Sequence, residues 1–150
     1  MQQGKFTREL IAPCGMNCGI CTRYLAYSRG IPEEKGRLIH CQGCLSLNNR
    51  VCFIKKGCKK LLKKELLSCC ECETIPCNNL DRLDKRYRKQ YGMSMIENLK
   101  TLKEKGMTKF LETEETKHQC PQCSDIISIH DRKCYTCGYK RSEKLWRINI

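Results

Sequence analysis

The stretch that decides the fold is CPQCSDIISIHDRKCYTC, residues 120–137. It contains two Cys-x-x-Cys pairs, Cys120 with Cys123 and Cys134 with Cys137, separated by ten residues. This spacing is typical of a four-thiolate site, in which two tight turns each supply two cysteines and a short hairpin connects them. The pattern therefore predicts a zinc ribbon with one closed, structural zinc site, although iron in a rubredoxin-like site would use the same four ligands.

Eleven further cysteines lie between residues 14 and 77. The spacing Cys14-x3-Cys18-x2-Cys21 is the one with which radical-SAM enzymes hold a four-iron cluster, but this chain is too short and too helical for their barrel. A second zinc site and a plain [4Fe–4S] cluster both remain open for this region. Cys70 is expected to point away from a Cys69-x-x-Cys72 pair. The candidate ligands are Cys14, Cys18, Cys21, Cys41, Cys44, Cys52, Cys58, Cys69, Cys72 and Cys77.

Composition favours metal binding over disulfides. The 15 cysteines are an odd number, and the first ten residues lack the basic-then-apolar layout of a signal peptide. Leu, Ile, Val and Phe make up only about a fifth of the chain, so that an apolar core would be thin and metal binding would supply folding free energy. No apolar run is long enough to span a membrane, and a cytoplasmic protein is expected.

The chain is basic, with a formal net charge of +13. If twelve cysteines bound three zinc ions, the twelve thiolates and three dications would lower this charge to +7. A basic surface is compatible with nucleic acid or another polyanion as a partner. The periodicity predicts a helix over residues 54–65, with Ile54, Cys58, Leu61 and Leu62 on its inner face. Its other face is either solvated or a nucleic-acid-binding stripe, formed by Lys55, Lys59, Lys60, Lys63 and Lys64.

Further helices are predicted from capping signals and periodicity. Asn79 is a candidate cap for a helix that Gly92 ends, and a capping box starts at Ser94 for a helix that Gly106 stops. Residues 108–117 predict one more short helix. His40, His118 and His130 are interpreted as surface or turn residues, and Trp146 is expected to pack on the ribbon.

The predicted fold is therefore a small, metal-stabilised, mainly α protein with little β structure. Residues 1–117 would form a Cys-rich helical domain, and residues 118–150 the zinc-ribbon hairpin. No nucleophile–base pair, phosphate-binding loop or supported carboxylate pair is present, so that the sequence gives no positive evidence for an enzyme or a small-molecule substrate.

Several motifs resemble one known family. APCGMNCGIC at residues 12–21, the pair Cys41 and Cys44, CCEC at 69–72 followed by IPC at 75–77, and MIENLKTLKEKG at 95–106 are similar to the prokaryotic family called domain of unknown function 3795. Members often carry a C-terminal ribbon. The resemblance implies a metal-binding prokaryotic protein, often from anaerobes, and brings no assigned function. An aromatic residue usually stands at the position of Cys70 in this family.

Two functional hypotheses follow. The first is a zinc-binding interaction module whose partner is nucleic acid or a protein. The alternative is an iron–sulfur redox or electron-transfer protein, with [4Fe–4S] at the N-terminal site.

Overall fold

The computed structural model describes residues 5–43, 58–65 and 68–142, which are mainly helical with little strand, as predicted. Cys44, Cys52, Lys55 and Trp146 lie outside the described residues. Extended pairing among the described residues is limited to isolated bridges. The α-helices are α1 (Thr22–Ser28), α2 (Lys59–Leu62), α3 (Asn78–Tyr91), α4 (Met95–Lys105) and α5 (Met107–His118). Short 3-10 helices cover Arg8–Leu10, Cys18–Ile20 and Cys69–Glu71.

Helices α3 and α4 begin and end largely where the sequence indicates. Gly92 ends α3 in the left-handed conformation, and Gly106 follows α4. Ser94 caps α4, because its Oγ accepts a hydrogen bond from the Glu97 N–H at 3.1 Å. The predicted cap at Asn79 is wrong: α3 already begins at Asn78, Cys77 occupies the cap position, and no side chain caps the helix.

A buried carboxylate joins α3 to α4. Asp84 Oδ2 accepts from Arg88 Nε at 2.6 Å, while Asp84 Oδ1 accepts from Ser94 Oγ at 2.6 Å and from the Ile96 N–H at 2.9 Å. The Asp84 side chain is only 4% exposed, so that these hydrogen bonds and the arginine charge offset its desolvation. The sequence did not predict this network, because Asp84 is one of many charged residues on an amphipathic helix and its spacing does not distinguish it.

Helix α2 is shorter than the predicted helix over 54–65. It ends at Leu62, and Lys64 adopts a positive φ of 58°, which stops the helix. Leu61 is buried, but Leu62 is 56% exposed, so that the prediction of an inward Leu62 is wrong. The prediction was wrong because the helical periodicity of the sequence continues past Leu62, into residues 63–65 that form a turn.

The core is shared by the N-terminal segment, α3, α4 and the ribbon. Ile126 and Ile129 of the ribbon belong to the same buried cluster as Ile20, Leu80 and Leu99, among others. The Ile129 N–H also donates to the Ile20 carbonyl at 2.9 Å. The hairpin therefore packs on the N-terminal segment, and the division at residue 117 remains a prediction.

Helix α5 ends at His118, one residue later than predicted, and the ribbon follows it directly in the chain. Its last residue, His118, is 1% exposed, so that the interpretation of a surface histidine is wrong at this position. His118 Nε2 lies 2.9 Å from Oε2 of the buried Glu114. Burial raises the pKa of Glu114, but the hydrogen bond and charge of His118 outweigh it and lower the pKa. No helix in the described part of the chain has the length and apolar character needed to cross a bilayer.

Candidate metal centres

The four ribbon cysteines form one compact group. The sulfurs of Cys120, Cys123, Cys134 and Cys137 all lie within 4.8 Å of one another. The Cys120–Cys137 and Cys123–Cys134 sulfur pairs are each 3.5 Å apart. Tetrahedral coordination with Zn–S bonds of about 2.3 Å requires sulfurs about 3.8 Å apart, so that this group fits one metal ion.

Two turns of identical backbone design present these sulfurs. In the first, the Ser124 N–H donates to the Cys120 carbonyl at 2.9 Å; in the second, the Gly138 N–H donates to the Cys134 carbonyl at 2.8 Å. The residue that closes each turn has a positive φ, 66° at Ser124 and 83° at Gly138. Glycine, as at position 138, adopts this conformation without strain. Each turn brings its two cysteines to one side, as two Cys-x-x-Cys pairs around one ion require.

Backbone amides prepare one ribbon thiol for ionisation. Burial raises the pKa of Cys120, but the N–H groups of Cys123 and Gln122 point at its sulfur and bring the pKa down to about 7. The pKa values of Cys123, Cys134 and Cys137 are raised, so that Cys120 is the first of the four thiols to ionise and to offer the thiolate that a metal binds. The ribbon can therefore hold a metal in a closed site, which is suited to structure rather than catalysis.

A second group of cysteines surrounds a cavity instead of meeting at a point. Cys14, Cys18, Cys21 and Cys41 line a cavity of about 570 Å³. Within residues 5–43, 58–65 and 68–142, the ribbon group is the one set of three or more His, Cys, Asp or Glu whose ligand atoms lie within 4.8 Å of one another. The four sulfurs around this N-terminal cavity are therefore more widely spaced than ligands of one ion.

The loop that carries Cys14 is held against α4. Gly15 has a φ of +90°, and a Cβ at this position would lie 3.0 Å from both Leu99 Cγ and the Met95 carbonyl oxygen, so that only glycine fits. Asn98 Nδ2 donates to the Gly15 carbonyl at 3.0 Å. These contacts fix the backbone beside Cys14 before any metal binds.

A capped 3-10 turn presents the next two cysteines. The buried Asn17 side chain accepts from the Gly19 N–H at 2.9 Å, and the Cys21 N–H donates to the Cys18 carbonyl at 3.0 Å. Cys41 joins them from a later segment, since its N–H donates to the Arg23 carbonyl at 3.4 Å.

The wall of the N-terminal cavity also carries arginines and a histidine–tyrosine pair. Arg23, Arg37 and Arg86 line it and add positive charge near the thiols, although Arg37 is largely exposed and forms an ion pair with Glu34 at 3.4 Å. His130 Nδ1 accepts from the Thr22 N–H at 3.2 Å, and His130 Nε2 lies 2.8 Å from the Tyr87 hydroxyl. The amide fixes Nδ1 as the acceptor, so that Nε2 carries the proton and donates to Tyr87.

His130 lies in the hairpin turn, as predicted, and it lines the N-terminal cavity as a half-buried residue. Burial holds the pKa of His130 at about 4, so that the ring is neutral at physiological pH. Sequence analysis gave neither His130 nor Tyr87 a role, because residues so far apart in the chain carry no shared spacing signal.

A third group of cysteines surrounds a second cavity of about 530 Å³. Its lining includes Cys58, Cys69, Cys72 and Cys77, together with Lys59, Lys60 and Arg82. Two of the lysines proposed for a nucleic-acid-binding stripe therefore lie beside cysteines, while Lys63 and Lys64 are exposed in the following turn.

Cys70 stands apart from the two cavities. Its sulfur accepts from Ser68 Oγ at 3.1 Å, and Cys70 is absent from the lining of the N-terminal cavity and of the second cavity. None of the thirteen described cysteines is in a disulfide. The assignment of individual cysteines to metals remains a prediction.

Comparison with known proteins adds a family and no activity. The family model "Protein of unknown function (DUF3795)" matches residues 10–82, which confirms the resemblance over that stretch. The matched segment contains the ten candidate N-terminal ligands and ends before the ribbon. No curated protein and no solved structure matches the chain.

Proposed function

Since residues 10–82 match a family without a known function, we propose a function from the metal centres: an iron–sulfur redox protein stabilised by a zinc ribbon. In this proposal Cys14, Cys18, Cys21 and Cys41 bind one [4Fe–4S] cluster. The observation that carries it is the contrast in sulfur spacing, because these four thiols surround a cavity while the ribbon thiols meet around a point.

The spacing argument follows from the structure of the two kinds of centre. Around a single zinc ion, four sulfurs touch the same atom and therefore lie close together. In a four-iron cluster each cysteine binds a different iron at a different corner, so that the sulfurs are spread around a larger body. A cavity of about 570 Å³ with four cysteines in its lining suits the second case.

The order of ligands in the chain supports the same reading. Three of the four cysteines come from one short run, Cys14-x3-Cys18-x2-Cys21, and the fourth comes from a separate segment. Iron–sulfur proteins commonly use three closely spaced cysteines and one distant cysteine for a cluster.

Charge supports a redox role. A cluster bound by four thiolates is an anion, and three arginines line this cavity. Positive groups close to a cluster stabilise the form that has gained an electron. The chemistry proposed is reversible transfer of one electron at the cluster, with no bond to substrate made or broken. Thiolate ligands need a reducing compartment, which supports a cytoplasmic location.

The test is purification of the whole chain without oxygen, followed by metal, sulfide and spectroscopic analysis. We expect brown protein with a broad absorbance near about 400 nm that bleaches on reduction with dithionite, plus one zinc per chain. Replacing Cys18 with Ala should abolish the N-terminal cluster, while the control Cys70→Ala should retain it. Colourless protein that contains zinc alone would overturn the proposal and favour the zinc-binding interaction module.

A further inference from the structure

We infer that the second cavity is a separate [4Fe–4S] site, bound by Cys58, Cys69, Cys72 and Cys77, and that the two clusters exchange electrons directly across a shared wall. The inference rests on the proposed function for its redox chemistry. Its structural basis is independent, because it comes from a different cavity and a different set of cysteines.

The first argument is a repeated local structure. Cys18–Ile20 and Cys69–Glu71 are both 3-10 helices that begin at the first cysteine of a Cys-x-x-Cys pair. In both, the N–H of the second cysteine donates to the carbonyl of the first, at 3.0 Å for Cys21 and 3.1 Å for Cys72.

The residue before each pair has the same role. Asn17 Oδ1 accepts from the Gly19 N–H at 2.9 Å, and Ser68 Oγ accepts from the Cys70 N–H at 3.2 Å. The ribbon turns differ, because there the hydrogen bond to the first cysteine carbonyl comes from the residue after the second cysteine. The two cavities therefore share a cysteine-presenting turn that the ribbon does not use.

The second argument is the ligand pattern. Cys69-x2-Cys72-x4-Cys77 supplies three closely spaced cysteines, and Cys58 comes from the start of α2. The N-terminal cavity has the same division into three and one. Two such sets of four cysteines lie within 64 residues, and two [4Fe–4S] clusters need two sets of four cysteine ligands.

The third argument is the chemistry of the second cavity. Thr74 Oγ1 lies 3.1 Å from Cys72 Sγ, within hydrogen-bond distance of this thiol. Lys59, Lys60 and Arg82 add three positive charges to the lining, as three arginines do in the N-terminal cavity. Both cavities thus combine four thiols with a cationic lining suited to an anionic cluster.

The fourth argument concerns the wall between the cavities. The Cys69 N–H donates to the carbonyl of Pro13, the residue next to Cys14, at 2.8 Å. Cys14 and Cys69 belong to the same buried cluster of side chains. One ligand of each proposed cluster therefore lies beside a ligand of the other, in a region where Cys14 and Cys69 are 4% and 8% exposed.

With clusters bound at both sites, Cys14 and Cys69 would hold the two centres close together. One electron would then pass from the reduced centre, which is oxidised, to the oxidised centre, which is reduced, with no bond made or broken. The first electron comes from an external one-electron reductant, for which dithionite is the probe.

The experiment compares iron content and electron paramagnetic resonance of anaerobic full-length protein with two single-site variants. Wild-type protein should contain about eight irons per chain, and Cys72→Ala and Cys18→Ala should each contain about four. The fully reduced wild type should show a spectrum broadened by coupling between two paramagnetic clusters, and each variant should show a simple, uncoupled signal. Cys72 is the choice because it is only half-buried, so that removing it disturbs packing less than removing the buried Cys69 would.

Controls separate this inference from the proposed function. Cys70→Ala should match the wild type, and one zinc per chain in every variant would show that the ribbon has folded. If the wild type holds four irons, Cys72→Ala keeps them and Cys18→Ala loses them, the second site is overturned while the proposed function stands. If Cys72→Ala loses all iron and Cys18→Ala keeps four, the second site stands and the N-terminal assignment fails. Two uncoupled signals in the wild type would overturn the direct exchange.

Discussion

The ribbon and the N-terminal region use cysteine in two different ways. In the ribbon, four sulfurs from 18 consecutive residues meet within 4.8 Å and fit one ion. In the N-terminal region, eight described cysteines surround two cavities of about 570 and 530 Å³. The ribbon has one small buried cluster of its own, Cys120, Ile127 and Cys134, whereas Cys14, Cys18 and Cys69 belong to a larger buried cluster.

The difference shows what a short spacing motif determines. The two ribbon turns each close with a hydrogen bond between residues four apart, and local geometry alone brings the four sulfurs together. The N-terminal motif places Cys14, Cys18 and Cys21 near one another, but the fourth side of the cavity comes from Cys41, 20 residues later. Its geometry therefore depends on tertiary packing.

The largest effect is expected from breaking the ribbon site. Replacing the fully buried Cys134 with Ala should remove the bound metal and unfold the hairpin, because structural zinc contributes about 10–16 kcal/mol of apparent binding free energy. Zinc content and hydrogen exchange of residues 118–142 would measure this loss. Cys70→Ala is the matched control. Unchanged zinc content in Cys134→Ala would contradict the four-thiolate site.

The second effect concerns the contact between α3 and α4. Replacing Asp84 with Ala removes the buried acceptor of three hydrogen bonds, from Arg88, Ser94 and the Ile96 N–H, and should lower the free energy of unfolding by about 3–5 kcal/mol. The control is Asp81→Ala, which removes an ion pair with Lys85 that is 41% exposed on the aspartate side and should cost at most about 1 kcal/mol. Denaturant unfolding measures both. Equal losses in the two variants would mean that α3 and α4 are not joined through Asp84.

The sequence predicted some of these features and missed others for identifiable physical reasons. The fold class, the end of α3 at Gly92 and the cap at Ser94 were predictable, because left-handed glycine and serine capping act within a few residues. The Asp84 network and the Thr22–His130–Tyr87 contacts were not, because their partners come together only after the helices pack. The short α2 was also missed, since periodicity does not register a turn.

The third effect tests the contact that His130 of the ribbon makes with Thr22 and Tyr87 of the N-terminal region. His130 has a folded pKa of about 4, against about 6.5 when unfolded, so that between these pH values the unfolded chain binds the extra proton. Stability should therefore rise with pH across this window, by about 3 kcal/mol for this one group, and Asp131, Arg23 and Arg86 are the charged neighbours that modify the shift.

The control for this pH dependence is His130→Gln, whose amide can accept from the Thr22 N–H and donate to the Tyr87 hydroxyl without titrating. The difference in unfolding free energy between wild type and variant should grow in favour of the variant as pH falls from about 6.5 to about 4. A difference that does not vary with pH would contradict a buried, neutral His130 between the regions.

The smallest effect is expected at the exposed lysines that follow α2. Lys63 and Lys64 are exposed and lie outside the lining of the second cavity, unlike Lys59 and Lys60. Replacing both with Gln should change the free energy of unfolding by no more than about 0.5 kcal/mol and leave iron content unchanged. If they instead contact nucleic acid, the slope of log affinity against log salt should fall by about 2, close to one unit per lost phosphate contact. Binding of RNA and duplex DNA across a salt series distinguishes these outcomes. We expect no change in slope, because the exposed Lys59, Lys60 and Arg82 lie beside the cysteines of the second cavity, whereas Lys63 and Lys64 do not line it.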